Sequence, residues 1–339
     1  MVIEHLYIHV PFCLAKCRYC AFHSHTGTET EMADFVESIR HNLHHAPPLQ
    51  LQTLFIGGGT PSILPLHLWQ QLLTSISPFL HPSNSYEFSI ECNPATVDTA
   101  KAALWRRNGV NRLSLGVQSF DDDLLAILGR VHTAAQAVDT FRLLRDAGFA
   151  NLNLDLMFGL PGQTMTQWRN TLEQALALAP EHISAYSLTL EEDTAFWGKV
   201  QLDDELQWAM YEQLIETLTT AGYHHYEISN FARPGYECRH NLAYWQGKDY
   251  LGLGPSAVST VGLRRWTVGG EEEQLTEEIK RAERIAFGLR MLDGIPADLV
   301  ADRDITHLLA DGLLQRCGDR LQLTRRGFRY ADTVAGEFV

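Results

Sequence analysis

The sequence predicts an α/β fold: a partial (β/α)6 barrel of the TIM type, followed by a small C-terminal helical domain of winged-helix-like shape. Two observations predict it. Over the first 222 residues, short apolar runs of strand length alternate with longer amphipathic segments of helical spacing. Parallel strands need crossover connections, for which helices are the usual solution, so six such units indicate a parallel sheet with helices outside it.

Six runs are the strand candidates, and polar or glycine-rich residues follow their carboxyl ends. The runs are residues 6–10, 53–59, 86–92, 111–119, 151–159 and 182–190. The helical segments between them are residues 31–43, 66–76, 99–109, 135–148 and 165–178. GGGTPS, ECNP, GVQS and DLMFGLPG stand at strand ends, which is where a β/α barrel carries its chemistry.

The pattern changes after Gly222, so we expect residues 1–222 to form the barrel. Residues 223–270 contain short aromatic pieces, which predict a segment that completes the edge of the barrel and covers its mouth. In residues 271–339, a helix, a β-hairpin through Gly318 and Asp319 and a last helix predict the C-terminal domain. Such a unit can bind nucleic acid, but the acidic charge of the chain favours a packing role.

Charge and hydropathy disfavour several classes of function. The 339 residues carry 41 acidic and 27 basic side chains, a formal net charge of −14, so we expect no nucleic-acid partner. No window approaches the roughly 20 apolar residues that span a bilayer, and we therefore predict no transmembrane segment. The first residues, MVIEHLYIHV, do not resemble a signal peptide, which predicts a cytoplasmic protein.

Three of the six cysteines are clustered behind the first strand. Cys13, Cys17 and Cys20 have the spacing C-x-x-x-C-x-x-C, and Pro11 ends the strand just before them. Thiolates are soft ligands that suit zinc or iron–sulfur clusters. Two interpretations stay open on these residues alone: a structural zinc site with His23 as the fourth ligand, or a four-iron cluster with one iron open.

Taken together, the cysteine motif and the GGGTP that follows the second strand resemble the radical S-adenosylmethionine (SAM) family. In that family the open iron of a [4Fe–4S] cluster binds SAM. The motifs IHVPFC, E-x-N-P from Glu91, NRLSLGVQSFDDDLLAILGRVH and LDLMFGLPGQT narrow the resemblance. They are similar to the branch that contains coproporphyrinogen III dehydrogenase and HemW, over about residues 5–260.

The resemblance implies that Cys13, Cys17 and Cys20 hold the cluster. It implies SAM contacts from Tyr7, Tyr19, Gly58, Gly59, Thr60, Glu91, Gln118, Arg130 and Asp155. Tyr7 is expected at the carboxylate end of SAM, and the glycines with Thr60 are expected to bind through their backbone. The chemistry agrees, since carboxylates accept hydrogen bonds from an ammonium or a ribose and an arginine pairs with a carboxylate. Without the resemblance, Glu91 and Asp155 fit a helix cap or a satisfied strand end equally well.

Phe22 separates the two members of the branch. The dehydrogenases continue the motif with a further cysteine two residues past the third, where this sequence has Phe22, as HemW-like proteins do. The dehydrogenases also have an N-terminal extension, whereas here the first strand is expected within a few residues of Met1. RHNLAYW at residues 239–245 fits the H-N-x-x-Y-W signature of the HemW group.

That signature leads us to expect haem contact by His240. Imidazole is a strong ligand of haem iron, and Tyr244 and Trp245 offer flat apolar surface. The alternative is a buried His240 that is hydrogen-bonded in a core with aromatic neighbours.

The resemblance therefore implies a haem chaperone that binds a [4Fe–4S] cluster, SAM and haem and delivers haem to client haemoproteins, rather than an enzyme. The implied clients are respiratory enzymes, which would bring the protein to the inner face of a membrane. The sequence is compatible with a homodimer as well as with a monomer. The alternatives are an oxygen-independent coproporphyrinogen III dehydrogenase, a tRNA-modifying radical SAM enzyme, which the net charge disfavours, and a zinc-stabilised binding module.

Overall fold

The fold is an α/β structure built around one open, mostly parallel sheet. The computed structural model describes residues 2–80 and 86–339. The first six strands run parallel: β1 (Ile3–Val10), β2 (Leu49–Gly58), β3 (Glu87–Cys92), β4 (Arg112–Gln118), β5 (Leu152–Phe158) and β6 (His182–Ser187). These are the six predicted strands, although β2 begins earlier and β6 ends earlier than predicted. The predicted fold class is confirmed.

Residues after Gly222 supply both edges of this sheet. β8 (Asn230–Ala232) pairs antiparallel with β6, and β7 (His224–Glu227) pairs antiparallel with β8 at the edge. β9 (Leu251–Leu253) pairs parallel with β1 at the other edge. The order of the strands is β7-β8-β6-β5-β4-β3-β2-β1-β9. Among the described residues the sheet therefore has two ends and forms no closed barrel.

Helices pack against one face of the sheet. They are α1 (Glu29–His44), α2 (Leu66–Ile76), α3 (Thr99–Arg107), α4 (Asp122–Leu128), α5 (Ala134–Asp146), α6 (Met165–Ala177) and α7 (Asp204–Thr220). Thr28, Thr133 and Thr164 begin α1, α5 and α6 with a capping box, in which the threonine side chain and a Glu or Gln three residues later satisfy free backbone N–H groups. The sequence analysis missed α4, a short helix between β4 and α5.

The two faces of the strands differ in chemistry, and this difference positions the site. In β3 the apolar Phe88 and Ile90 belong to the core that the helices share. Glu87, Ser89 and Glu91 alternate with them and so point to the opposite face. The face without helices is therefore lined by polar side chains.

The remaining elements lie outside the large sheet, and the last part of the chain has a core of its own. They are α8 (Arg239–Trp245), β10 (Val258–Val261), β11 (Arg264–Thr267), β12 (Glu272–Gln274), α9 (Glu277–Gly288), β13 (Ile295–Pro296), α10 (Thr306–Ala310), β14 (Leu314–Cys317), β15 (Arg320–Leu323), α11 (Arg325–Arg329) and α12 (Ala331–Gly336). Apolar side chains between Ile285 and Phe338 pack into the second core. The predicted hairpin at Gly318 and Asp319 joins β14 and β15 and is confirmed.

In residues 2–80 and 86–339, no helix combines the length and the apolar character needed to cross a membrane.

Candidate functional site

The three clustered cysteines lie on a loop that connects β1 to α1. Its base is closed by two backbone hydrogen bonds, from Cys13 N–H to the His25 carbonyl at 2.9 Å and from His25 N–H to the Pro11 carbonyl at 2.9 Å. Its far side is held to the end of α4, because the N–H of Arg18 donates to the Leu128 carbonyl at 3.0 Å. The loop is therefore fixed at both ends while the thiols of Cys13, Cys17 and Cys20 stay half-buried.

The glycine run after β2 lies directly against this loop. Gly59 N–H donates to the Val10 carbonyl at 2.8 Å, and Thr60 N–H donates to the Phe12 carbonyl at 2.7 Å. A Cβ on Gly59 would stand 2.6 Å from the Phe12 carbonyl oxygen and 3.0 Å from the sulfur of Cys13. Only glycine allows this approach of the two chain segments. The Thr60 hydroxyl also donates to the Cys13 sulfur at 3.5 Å.

A cavity of about 470 Å³ opens between the thiol loop and the ends of the strands. Eleven of the thirteen predicted site residues line it: Cys13, Cys17, Tyr19, Cys20, Gly58, Gly59, Thr60, Glu91, Gln118, Arg130 and Asp155. They come from the thiol loop and from the ends of β2, β3, β4 and β5, so residues far apart in sequence meet at one edge of the sheet.

Arg130 brings a positive charge to the thiols. Its Nη1 lies 3.4 Å from the sulfur of Cys17, and its Nη2 donates to the Gly116 carbonyl at 2.7 Å. A Cβ on Gly116 would approach Nη2 to 3.3 Å, so the small residue leaves room for the guanidinium. The guanidinium therefore links the thiol loop to β4.

Gln118 has an unusual backbone. Its φ of +66° lies in the left-handed region, and the pairing of β4 with β5 shifts register between Gly116 and Gln118. Such bulges redirect a side chain and are frequent beside functional sites. Here the bulge lies where Gln118 lines the cavity.

Two buried carboxyl groups face the cavity. Glu91 accepts a hydrogen bond from Gly58 N–H at 3.1 Å. Burial, and next the nearby Asp155 carboxylate, raise the pKa of Glu91 to about 8. Burial also raises the pKa of Asp155, although the hydroxyl of Ser114 donates to its carboxylate at 2.9 Å. Two neighbouring carboxyl groups that face a cavity favour a cationic ligand.

Hydrogen bonds continue from Asp155 through the polar interior to the start of α8. The Asn153 amide donates to Asp155 at 2.8 Å, and its oxygen lies 2.6 Å from His182 Nδ1. His182 Nε2 lies 2.7 Å from the Tyr226 hydroxyl, which accepts from Cys238 N–H at 3.2 Å. Burial lowers the pKa of His182 well below its usual value, so the ring is neutral and can donate at Nδ1 while it accepts at Nε2.

Tyr7 and His240 are the two predicted residues that do not line the cavity. Tyr7 lies behind the glycine run, where its hydroxyl is 3.0 Å from His9 Nδ1. Its ring centroid is 6.4 Å from that of His240. The two residues are therefore neighbours in the interior of the sheet, on the side of α8.

His240 is buried, with 3% of its surface exposed. Its Nδ1 lies 2.8 Å from the Thr53 hydroxyl and its ring stacks on Phe55 at 5.2 Å between centroids. Within the described residues its Nε2 has no hydrogen-bond partner. Burial lowers the pKa of His240 to about 3, so the imidazole is neutral. These surroundings correspond to the buried alternative of the sequence analysis, and they leave one ring nitrogen free to accept or to ligate.

The thiols suit a cluster better than a single ion. In the described part of the chain, no three Cys, His, Asp or Glu side chains are grouped to hold one metal ion. Three soft thiol ligands that all face one roomy cavity fit a cluster, with space beside it for a second ligand.

The sequence analysis missed lining residues that carry no obvious chemistry. Met157 near the end of β5 and Tyr186 in β6 both line the cavity. Met157 stands two residues after Asp155, so the strand alternation places both on one face. That alternation was the available signal.

Comparisons with known proteins agree with this geometry. The family model of the radical SAM superfamily matches residues 7–175. The chain is 34% identical to the heme chaperone HemW of Escherichia coli (strain K12), over 98% of this chain and 97% of that protein. It is 33% identical to the heme chaperone HemW of Lactococcus lactis subsp. lactis, over 98% of this chain and 96% of that protein.

A solved structure shares the fold. Coproporphyrinogen III oxidase (HemN) from Escherichia coli superposes with a TM-score of 0.85 at 22% sequence identity. The match covers 99% of this chain and 90% of that one, so the fold extends through the C-terminal unit.

Proposed function

The chain belongs to the HemW family of the radical SAM superfamily, and on this basis we propose that it is a haem chaperone. It would hold a [4Fe–4S] cluster and SAM, bind haem and hand the haem to client haemoproteins. The observation that carries the proposal is the meeting of three thiols and eight further predicted residues around one cavity.

Cys13, Cys17 and Cys20 would hold the cluster. A four-iron cluster held by three thiolates would leave one iron for the amino and carboxylate groups of SAM. The cluster would also supply single-electron transfer. Arg130 beside Cys17 and the Thr60 hydroxyl beside Cys13 would hydrogen-bond to two of the ligating sulfurs.

SAM would lie between the thiol loop and the strand ends. Gly58, Gly59 and Thr60 would bind its methionyl part along the backbone, and Tyr19 and Gln118 would contact the rest. Glu91 and Asp155 would accept hydrogen bonds from its iron-bound amino group and its ribose hydroxyl groups. Tyr7 would contact the carboxylate end of SAM. Because Tyr7 lies behind the glycine run, SAM would have to reach past that run to make this contact.

Haem contact by His240 is part of the proposal, and its burial sets a condition. Tyr244 and Phe55 cover the ring, with centroids 5.3 and 5.2 Å from it. A porphyrin therefore reaches His240 Nε2 only after α8 moves away from the sheet. Trp245 on the same helix lies under the guanidinium of Arg290 at 4.6 Å and would have to leave it.

Delivery would be to respiratory haemoproteins at the inner face of a membrane, from the cytoplasm, by a monomer or a homodimer. We further propose that residues 1–222 form the radical SAM unit, residues 223–270 the segment that carries the HNxxYW motif, and residues 271–339 the C-terminal domain. The cores support only the last boundary, since the main core includes residues from Ile3 to Leu253 and a separate core lies between Ile285 and Phe338.

Haem transfer tests the chaperone proposal. The anaerobically reconstituted protein is loaded with haem, separated from free haem and mixed with a haem-depleted b-type cytochrome. We expect the absorbance spectrum of the haem-loaded cytochrome to appear faster than when the same amount of haem is supplied bound to albumin. A protein that retains no haem during separation contradicts the proposal.

A second candidate is oxygen-independent coproporphyrinogen III dehydrogenase, because of the structural similarity to HemN. At 22% identity that similarity shows the fold only. Phe22 distinguishes the two, since it stands where the dehydrogenase motif continues with cysteine and offers no thiol. A turnover assay with coproporphyrinogen III separates the candidates.

A further inference from the structure

We infer that haem first docks on an apolar surface at the mouth of the cavity, with its propionates on the cations of the thiol loop. We call this surface the apolar rim and define it as Leu14, Phe22, Val131 and Tyr186. The inference rests on the proposed function and adds a binding surface that is separate from His240.

The rim concentrates apolar side chains that water can reach. Eleven large apolar side chains are exposed in residues 2–80 and 86–339, and four of them line this one cavity. Their exposed fractions are 51% for Leu14, 68% for Phe22, 44% for Val131 and 41% for Tyr186. Isolated exposed apolar residues need no explanation, whereas several around one opening mark an interaction site.

Separate chain segments build the rim. Leu14 follows Cys13 and Phe22 lies two residues past Cys20 on the thiol loop, Val131 follows Arg130, and Tyr186 belongs to β6. The segment after β6 is held to the same loop, because the N–H of Phe196 donates to the Arg18 carbonyl at 3.2 Å. The fold, rather than one apolar stretch of sequence, therefore assembles the surface.

Two exposed cations stand on the same loop. Lys16 lines the cavity and Arg18 lies on the other side of Cys17. The one side-chain hydrogen bond of the Arg18 guanidinium is long, at 3.4 Å to the Ile127 carbonyl, so the group can turn to a new partner. The chain as a whole is acidic, with a net charge of −14, so two cations beside the apolar rim distinguish this part of the surface from the average. Glu191, on the loop after β6, is the exposed carboxylate among the lining residues.

Haem matches this combination. It is a flat molecule with apolar faces and two carboxylates on one edge, so one face can cover the rim while the carboxylates accept hydrogen bonds from Lys16 and Arg18. A client protein would also cover an apolar surface, but the cations favour an anionic amphiphile. Docking on the rim requires no movement of α8, whereas contact with His240 does.

The geometry also links haem docking to the cluster. Leu14 and Phe22 share their loop with all three proposed cluster ligands. Loading of the cluster would therefore fix the position of both rim residues.

Titration with two porphyrins tests the inference on the cluster-loaded full chain. The ligands are haem and metal-free protoporphyrin IX, which has the same faces and carboxylates but no iron. The wild type is expected to bind both with dissociation constants within about five-fold of each other, because the rim contacts faces and carboxylates. The double variant Leu14→Ser/Phe22→Ser is expected to bind both at least about ten-fold more weakly.

Controls keep the test independent of folding. The double variant Leu66→Ser/Ile279→Ser removes two exposed apolar residues that do not line the cavity, and its affinities are expected to be unchanged. Iron and sulfide content is measured for each variant. If the thiol-loop variant loses its cluster, Val131→Asp on a different loop replaces it, and we expect the same loss of affinity because the aspartate repels the propionates.

Three outcomes would overturn the inference. Unchanged affinities in the rim variants would exclude the surface, and a wild type that binds haem but not protoporphyrin IX would show that iron ligation alone carries binding. Unchanged haem binding with lost transfer to a client would assign the rim to a protein partner. In these three cases the chaperone proposal survives. A wild type that binds no haem at all would instead contradict both.

Discussion

The carboxylate of Glu87, at the start of β3, accepts a hydrogen bond from the backbone N–H of His240 at 3.0 Å. It accepts another from Arg239 N–H at 2.9 Å. One buried side chain thus satisfies two free N–H groups in the first turn of α8 and attaches the helix to the polar face of the sheet. The helix that carries the HNxxYW motif is part of the interior of the protein, so its position contributes to stability.

Glu87→Gln is therefore expected to destabilise the protein. The amide keeps one acceptor oxygen, loses the negative charge and leaves a buried N–H group without a good partner. We expect the free energy of unfolding to fall by about 1–3 kcal/mol in urea titrations followed by circular dichroism. Glu37→Gln on the exposed face of α1 is the matched control, and no measurable change is expected there because Glu37 pairs only with exposed Arg40. Equal stability of the two variants would contradict the role of Glu87.

The thiols of the loop are expected to be individually necessary for the cluster. Replacing Cys13, Cys17 or Cys20 by serine removes one of three ligands, so iron content after anaerobic reconstitution should fall to a small fraction of the wild-type value. Cys317→Ser changes an exposed thiol outside the site and should leave iron content intact. A full complement of iron in any single thiol-loop variant would remove that cysteine from the ligand set.

Gly59→Ala tests the close approach of the glycine run to the loop. The added Cβ would lie 2.6 Å from the backbone oxygen of Phe12, which cannot move without displacing Cys13. We expect lower cluster occupancy and at least about ten-fold weaker SAM binding, since misplaced ligands cost affinity. Gly336→Ala in α12, where a Cβ meets no atom within 4 Å, is the control. Wild-type occupancy and affinity in Gly59→Ala would show that the loop tolerates the shift.

SAM binding is expected to release a proton at neutral pH. Burial, followed by the effect of Asp155, raises the pKa of Glu91 to about 8, so most molecules without SAM carry a proton on this carboxyl group at pH 7. The positive sulfonium of bound SAM favours the ionised form, and the affinity for SAM should therefore increase from about pH 6 to about pH 8.

Calorimetric titrations in two buffers of different ionisation enthalpy measure this proton. We expect the cluster-loaded wild type to release about one proton more than Glu91→Gln, whose amide does not titrate. Equal proton release by the two proteins would show that Glu91 is not ionised on SAM binding.

His240→Ala separates the structural role of the imidazole from its proposed role in haem binding. Loss of the bond to Thr53 and of the stacking on Phe55 should lower the free energy of unfolding by about 1–3 kcal/mol. If the ring also ligates haem, the absorption maximum and the electron paramagnetic resonance spectrum of the haem complex should change. His5→Ala removes the other histidine bonded to Thr53 and is the control for general destabilisation. An unchanged haem spectrum would remove His240 from the ligands and leave the family assignment in place.

The sequence predicted the central sheet and the composition of the cavity well. Strands such as β3 and β5 have apolar alternation that is strong enough to read, and this alternation places Glu91 and Asp155 on the polar face of the sheet. Cys13 follows the end of β1 in sequence. Once the strands are parallel and adjacent, their carboxyl ends meet, so the meeting of these residues follows from topology.

Other features depend on contacts over long sequence distances that no local pattern encodes. The sequence of the three residues of β9 does not indicate with which strand they pair. In the structure they pair with β1 and form the edge of the sheet. The burial of His240 depends on Glu87, Thr53 and Phe55. Thr53 and Phe55 lie more than 180 residues before His240 in the chain. Met157 and Tyr186 carry no distinctive chemistry, so only the structure shows that they line the cavity.

The most direct test of the chaperone proposal uses one sample of anaerobically reconstituted protein for two assays. The first titrates haem, and the second supplies SAM, a reductant and coproporphyrinogen III and measures protoporphyrinogen formation. We predict saturable binding of about one haem per chain with no decarboxylation above the level of the protein without its cluster. Turnover of coproporphyrinogen III without haem binding would contradict the proposal and assign the chain to the dehydrogenase activity.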